Sequence, residues 1–305
     1  MPSLPNQLTK VESVGAAELA FFHNTIGSEG VLGLTVKRPG DVAETACLLV
    51  SRTAHTQRIM HYLFEEGRLY EEWTSSLALG ALRAGDVAID IGAHVGFFST
   101  LFRLGVGPSG AVYGFEPMPD TYRRLLHNVM YNRFTNVLPL QLAVSDHSGD
   151  AVFYIDPENE GESSLLNAQG RRSCNVQLTS LDEIFRDALP KRPRLLKIDA
   201  EGVELSILHG GTRMFESHAP DLVICECHRG VLRAAGASEW SLRDFFGDRG
   251  YACAVINNGM EMNLAGGKYY RYLKSDEESA PLDFGYVYNL MFVREGSGLY
   301  PSPVL

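Results

Sequence analysis

One short run, VAIDIGAHVGFFS from Val87 to Ser99, constrains the chain more than any other. Val87, Ala88, Ile89 and Ile91 form an apolar stretch bounded by Gly85-Asp86 and Gly92, the pattern of a strand buried on both faces of a parallel sheet. Asp90 then falls near its carboxyl end. Gly92 and Gly96 allow a tight turn and a close approach to the main chain, and a helix starting near Gly96 leaves N–H groups free at its first turn. The spacing is Asp-x-Gly-x-x-x-Gly, with His94 and Phe97 where a dinucleotide fingerprint needs its second and third glycines. The stretch is therefore expected to be a nucleoside-cofactor loop whose spacing argues against NAD or FAD, with a nucleotide-sugar or dinucleotide enzyme left open as a rival reading.

A second apolar run, Ala111 to Phe115, ends in Glu116-Pro117. An acid at the end of the second strand of a βαβ unit is where a ribose is held through its two hydroxyls. Beyond it, strands alternate with helices: a helix over Pro119 to Tyr131, a strand over Val137 to Val144, a strand over Arg194 to Ile198, a helix over Val203 to Phe215, a strand over Leu222 to Cys227, a helix over Leu242 to Gly250, then strands at Tyr251 to Ile256 and Tyr288 to Arg294. Repeated βα units predict an α/β, doubly wound, mostly parallel sheet. Residues 86–296 are expected to form this domain, with insertions near 151–178 (strands Val152 to Ile155 and Asn175 to Leu178) and 257–285, and a tail at 297–305. Residues 1–85 are expected to be an extension of helices and short strands: a helix over Leu8 to Phe22, strands at Val31 to Val36 and Thr45 to Ser51, and helical spacing at Thr56 to Phe64 and Tyr70 to Leu82. Phe21, Phe22 and Trp73 there need burial, either within the chain or in a homodimer.

Ligands of open α/β sheets bind beyond the carboxyl ends of the strands. Two further strand ends carry ionisable groups there, Asp199-Ala200-Glu201 and Cys225-Glu226-Cys227-His228. Side chains alternate along extended chain, so Asp199 pairs with Glu201 and Glu226 with His228, each pair on one face. Carboxylates and an imidazole in one cleft shift one another's pKa values and can take a proton from an alcohol. On this reading His228 is the base, Glu226 orients it, and Asp199 and Glu201 position the bound molecules. Two other readings stay open: Asp199 or Glu201 caps the helix that follows, or the cluster binds a divalent metal such as Mg, Mn or Zn. Spacing assigns no residue as a metal ligand.

The net charge of −10 disfavours nucleic acid and anionic lipid as partners. With no apolar run of membrane-spanning length and no signal-like start, a cytoplasmic protein without a membrane partner is expected. Five scattered cysteines fit reduced thiols, and Cys225-x-Cys227 fits strand packing. Tyr269, Tyr270 and Tyr272 are either stacking or packing residues.

The succession DIGAHVGFFS, GFEP, LAVSD, LKIDAEGVELSILHG and ICECH, with GRLYEEW upstream, resembles the FkbM family of S-adenosylmethionine-dependent methyltransferases from about Gly67 to Arg294. The resemblance implies a class I methyltransferase (Rossmann-like) sheet of seven strands whose last strand is antiparallel. It implies that Asp90, Gly92, Ala93, His94 and Gly96 surround the methionine part of the cofactor, with Phe97, Pro117 and Asp199 beside it. Glu116 would hold the ribose, and Ala143 and Val144 would flank the adenine. The expected activity is O-methyl transfer to a hydroxyl of a small molecule or sugar, as in secondary metabolite or glycan methylation. Two alternatives are a metal-assisted transfer through Asp199, Glu201, Glu226 and His228, and a noncatalytic partner subunit that keeps the fold. Position 94 is often Asn in such loops, so His94 is a departure.

Overall fold

The computed structural model describes residues 10–14, 17–166, 171–186, 189–256, 270–277 and 287–299. The chain opens with an antiparallel sheet, β1 (Lys10–Val14), β2 (Ala17–Ile26), β3 (Glu29–Lys37) and β4 (Glu44–Ser51), in that spatial order. Where a helix is expected over Leu8 to Phe22, the described residues, 10–14 and 17–22, are in two strands. Ala, Leu and Glu make that stretch look helical. Yet Leu19 to Phe22 of β2 are buried in succession, and a short continuous apolar run does not distinguish helix from strand by period. Phe21 and Phe22 are buried within the chain itself, which removes the motive for a dimer through them. Helices α1 (His55–Glu65) and α2 (Glu72–Ala81) follow.

From β5 (Val87–Ile91) the parallel layer begins, with α3 (Phe97–Val106), β6 (Ala111–Phe115), α4 (Pro119–Tyr131) and β7 (Val137–Leu140). The strand expected over Val137 to Val144 divides: β8 (Ala143–Val144) leaves the main sheet to pair with β10 (Arg172–Thr179), itself antiparallel to β9 (Gly149–Ile155). The insertion is therefore a hairpin sheet of its own, and a 3₁₀ turn at Glu160–Glu162 lies between its long strands. After α5 (Leu181–Ile184) comes β11 (Leu195–Ile198). The expected helix over Val203 to Phe215 is two, α6 (Glu204–His209) and α7 (Thr212–His218), interrupted at Gly210-Gly211, where a side chain on Gly210 would strike the Ser145 carbonyl. The chain continues through β12 (Leu222–His228), α8 (Arg229–Ala234), α9 (Glu239–Gly247), β13 (Tyr251–Ile256), β14 (Tyr270–Tyr272) and β15 (Val287–Arg294).

The main sheet runs β14-β13-β15-β12-β11-β5-β6-β7, eight strands rather than the seven expected, because β14 adds an edge beside β13. β15 is antiparallel to both neighbours, as expected of the last strand. Tyr270 and Tyr272 are partly buried and pack edge to face at 5.5 Å; Tyr269 and most of 257–285 lie outside the described residues. Cys225 and Cys227 are both fully buried on β12, as strand packing requires. Among the described residues no helix is long and apolar enough to cross a membrane.

Candidate active site

Strands β5, β6, β11 and β12 all end at one edge, where a cavity of about 330 Å³ opens. Its walls include Gly92, Ala93, His94 and Phe97 from the glycine loop, Glu116 and Pro117 after β6, Ala143 and Val144 of β8, and Asp199, Glu201, Glu226 and His228. Two expected site residues stand elsewhere. Asp90 is fully buried behind the wall, one carboxylate oxygen accepting from Ser99 Oγ at 2.6 Å, and Gly96 starts α3 outside the lining.

Gly92 serves a purpose that spacing alone does not reveal. Its φ is +80°, and a Cβ there would sit 1.8 Å from the Asp199 carbonyl oxygen. The close approach it permits is to the end of β11, which locks the two strand ends together. The N–H groups of Gly92 and Ala93 both donate to the Phe115 carbonyl, and the His94 N–H donates to Glu116 Oε2 at 2.9 Å. Glu116 Oε1 accepts from the Met118 N–H, also at 2.9 Å. Each carboxylate oxygen has two acceptor positions, so Glu116 keeps one per oxygen beyond these bonds. Burial raises its pKa to about 7 against the two N–H donors, which pull it down.

Lys197 is the residue that pattern reading missed. It interrupts the apolar β11 and is only 2% exposed, and a charge in a strand covered on both faces has to be paired. Its ammonium donates to Asp199 Oδ2 at 2.6 Å, faces Glu71 and Asp90, and lies 4.6 Å above the Phe98 ring. Burial works against the charge, but the three acids outweigh it and hold the ammonium above its ordinary pKa. The lone Lys inside LLKI was the available signal. Glu71, also unforeseen, sits in left-handed backbone at the start of α2 and accepts from Asn289 Nδ2 at 3.0 Å.

Asp199, Glu201 and Glu226 present carboxylate oxygens within 4.8 Å of one another. Burial and the neighbouring acids push Glu226 well above the carboxylate range, so it carries a proton and donates it to Asp199. Glu201 is raised to about 9 by burial first and Asp199 second. Asp199 stays ionised because Lys197 offsets its burial. At neutral pH the cluster thus holds one negative charge, already balanced by the Lys197 ammonium.

Glu226 shares a hydrogen bond with Asp199, and the acid whose charge acts on His228 is Glu162. One sequence-level expectation is corrected here. Neither Asp199 nor Glu201 caps α6, whose start has no side-chain cap; Glu204 instead folds back to accept from the Gly202 N–H at 2.9 Å. His228 is half-buried on the cavity wall, and burial lowers its pKa below the ordinary imidazole value. His94, in left-handed backbone with φ 51°, has no hydrogen-bond partner for either ring nitrogen among the described residues; Glu160 lies 3.8 Å from its Nε2. Glu160 and Glu162 both come from the insertion.

A mostly parallel sheet with an antiparallel last strand, a glycine loop after its first strand and a ligand cavity at its carboxyl edge define a Rossmann-like fold of the methyltransferase class. Residues 90–253, more than half of the chain, match the Methyltransferase FkbM domain model, and the chain belongs to that family. It is 32% identical over 155 residues to the hexuronic acid methyltransferase AglP of Haloferax volcanii, covering 51% of this chain and 61% of that protein. It is 30% identical over 159 residues to the 31-O-demethyl-FK506 methyltransferase FkbM of Streptomyces tacrolimicus, covering 42% and 60%. The chain thus spans about three-fifths of the length of the curated relatives it matches. A solved structure, the methyltransferase FkbM of Methylobacillus flagellatus KT, is similar with a TM-score of 0.41 at 16% identity, covering 70% of this chain and 45% of that one.

Proposed function

We propose that this protein is an S-adenosylmethionine-dependent O-methyltransferase acting on a hydroxyl of a small molecule or sugar. The observation that carries the proposal is Glu116: a buried acid in the cavity wall whose two oxygens each keep one acceptor position, the requirement for gripping a vicinal diol. The apolar wall of Met118, Leu142, Ala143, Val144 and Phe153 beside it suits a purine. These residues fit the cofactor. When bound, it supplies an electrophilic methyl group on a sulfonium centre.

The chain's own contribution is orientation, exclusion of water and removal of the hydroxyl proton. Glu226 and Glu201 carry protons at neutral pH, and Asp199 is tied to Lys197, so none of the three is a ready base. His228, neutral because burial disfavours its charged form, is the imidazole on this face of the cavity that can accept the proton, with His94 across the lining as the other neutral imidazole. The protonated Glu226 and Glu201 can donate hydrogen bonds to the acceptor's oxygens and so position it. The name of one relative, a 31-O-demethyl-FK506 methyltransferase, supports an oxygen acceptor, and that of the other, a hexuronic acid methyltransferase, supports a sugar-type substrate.

Titration calorimetry with S-adenosylhomocysteine and with NAD tests the cofactor: binding of the first alone is expected, with loss in Glu116→Ala while the variant still folds. With sugars, uronic acids and polyketide alcohols screened by S-adenosylhomocysteine release, His228→Ala is expected to lower kcat roughly 10²–10⁴-fold, the usual reach of a general base. Full turnover in His228→Ala would mean that orientation alone drives the transfer. Loss of turnover with EDTA, restored by Mg²⁺, would favour a metal-assisted transfer.

A further inference from the structure

A second cluster of ligand-type side chains lies between the amino-terminal sheet and α1, apart from the residues that line the cavity. His23 of β2 and His61 and Glu65 of α1 each bring one nitrogen or oxygen within 4.8 Å of the other two. His61 and Glu65 are four residues apart on one helix, so both project from the same face, and that face packs on β2. We infer that His23, His61 and Glu65 form a binding site for a divalent transition-metal cation, zinc first, that clamps α1 to the sheet.

The geometry favours coordination over a simple ion pair. His61 Nδ1 and Glu65 Oε1 are 3.4 Å apart, longer than the about 2.7–2.9 Å of a charge-assisted hydrogen bond. Two donors at about 2.0–2.1 Å from a tetrahedral zinc stand roughly 3.4 Å from each other. The other ring nitrogen of His61 lies 3.3 Å from the Asn24 carbonyl oxygen. A metal-bound imidazole is commonly held this way, giving its second N–H to a backbone carbonyl so that the first nitrogen faces the ion. The His23 and His61 rings are 6.0 Å apart and nearly perpendicular, so both can aim a nitrogen at one point. The fold makes room for the inner ring: a Cβ on Gly30 would lie 2.1 Å from His61 Cδ2, so β3 passes His61 only as glycine. His61 is 3% exposed whereas the Glu65 side chain is 41% exposed, which leaves a path from solvent. Two imidazoles and a carboxylate are a borderline donor set that suits zinc and leaves its fourth position to water.

The test uses full-length, tag-free protein stripped of metal, titrated with Co²⁺ while its visible ligand-field absorption is followed, and with Zn²⁺ by calorimetry. One equivalent of each is expected to bind, and Zn²⁺ is expected to raise Tm. His23→Ala and Glu65→Gln alter half-exposed or exposed side chains, so both should fold. Each is expected to weaken binding at least about tenfold, no less than loss of an outer-shell partner does, and to abolish the Zn²⁺-induced rise in Tm. Absence of stoichiometric binding overturns the site, as does unchanged affinity in either variant, which would mean that the metal binds elsewhere.

Discussion

Three carboxyl groups within 4.8 Å of one another cannot all be ionised at neutral pH without a matching cation, and Lys197 supplies only one positive charge. Glu201 shows the consequence for stability most directly. In the native chain it holds its proton up to about pH 9, against 4.5 ordinarily. Between those values the folded state binds more protons than the unfolded one, so stability falls as pH rises. Below about 4.5 both states are protonated and the group has no effect; above about 9 both are ionised and the cost is complete. Glu201→Gln keeps the shape and cannot ionise. Its stability relative to the parent is therefore expected to be nearly unchanged at about pH 4.5 and to improve steadily toward about pH 9, as read from urea unfolding across that range. A difference that stays flat with pH would mean that Glu201 is ionised in the folded protein. From sequence, the partners Asp199, Glu201, Glu226 and His228 were legible as strand-end groups, but their proton distribution was not. It depends on Lys197, whose role appears only once β11 is known to lie beside β5 and Asp90.

At the scale of elements, α4 meets the edge of the amino-terminal sheet through two asparagines. Asn128 accepts from the Leu49 N–H at 2.8 Å and donates to the Leu49 carbonyl at 3.2 Å, while Asn132 does the same for Cys47 at 2.8 and 2.6 Å. Four residues of helix advance about 6 Å and two residues of strand about 6.8 Å, so the two spacings match. The side-chain amides thus stand in for a neighbouring strand along β4, the exposed edge of its sheet. Asn128 also donates to the Val95 carbonyl at 2.9 Å, tying the same junction to the glycine loop. Asn128→Ala removes three hydrogen bonds and leaves buried partners unsatisfied. The expected loss is about 2–4 kcal/mol by denaturant unfolding, at roughly 1 kcal/mol per bond plus desolvation. A loss under about 1 kcal/mol would mean that apolar contact alone holds this seam. The α/β alternation after Val87 was legible because period and punctuation agree there. The seam was not, since polar residues on an amphipathic helix read as solvent-facing until their partner strand is known.

For the whole molecule, the question is whether residues 1–85 are an appendage or part of the body that holds the cavity. We propose the second. Phe21, Leu32 and Phe64 of the amino-terminal part share one continuous buried cluster with Phe97, Leu101 and Val112 of the α/β part. Phe64 is fully buried between Phe21, at 5.1 Å, and Phe97, at 6.2 Å, and Phe97 lines the cavity. The cavity's outer wall is shared in the same way. α1 contributes His55, Thr56, Ile59 and Met60, and Thr56 Oγ1 donates to Asn159 Oδ1 of the insertion at 2.8 Å. Segments about a hundred residues apart thus shape this side of the cavity, which explains why local patterns singled out the glycine loop and left this wall undefined. Phe64→Ala puts this arrangement to the test. Emptying a fully buried aromatic site is expected to cost about 3–5 kcal/mol, to shift one cooperative transition for the entire chain, and to weaken S-adenosylhomocysteine binding because Phe97 loses its support. Calorimetric unfolding and binding titration on the same variant give both readouts. If the amino-terminal sheet folded as an independent unit, two transitions would appear, only the first would move, and the cofactor would bind as tightly as before.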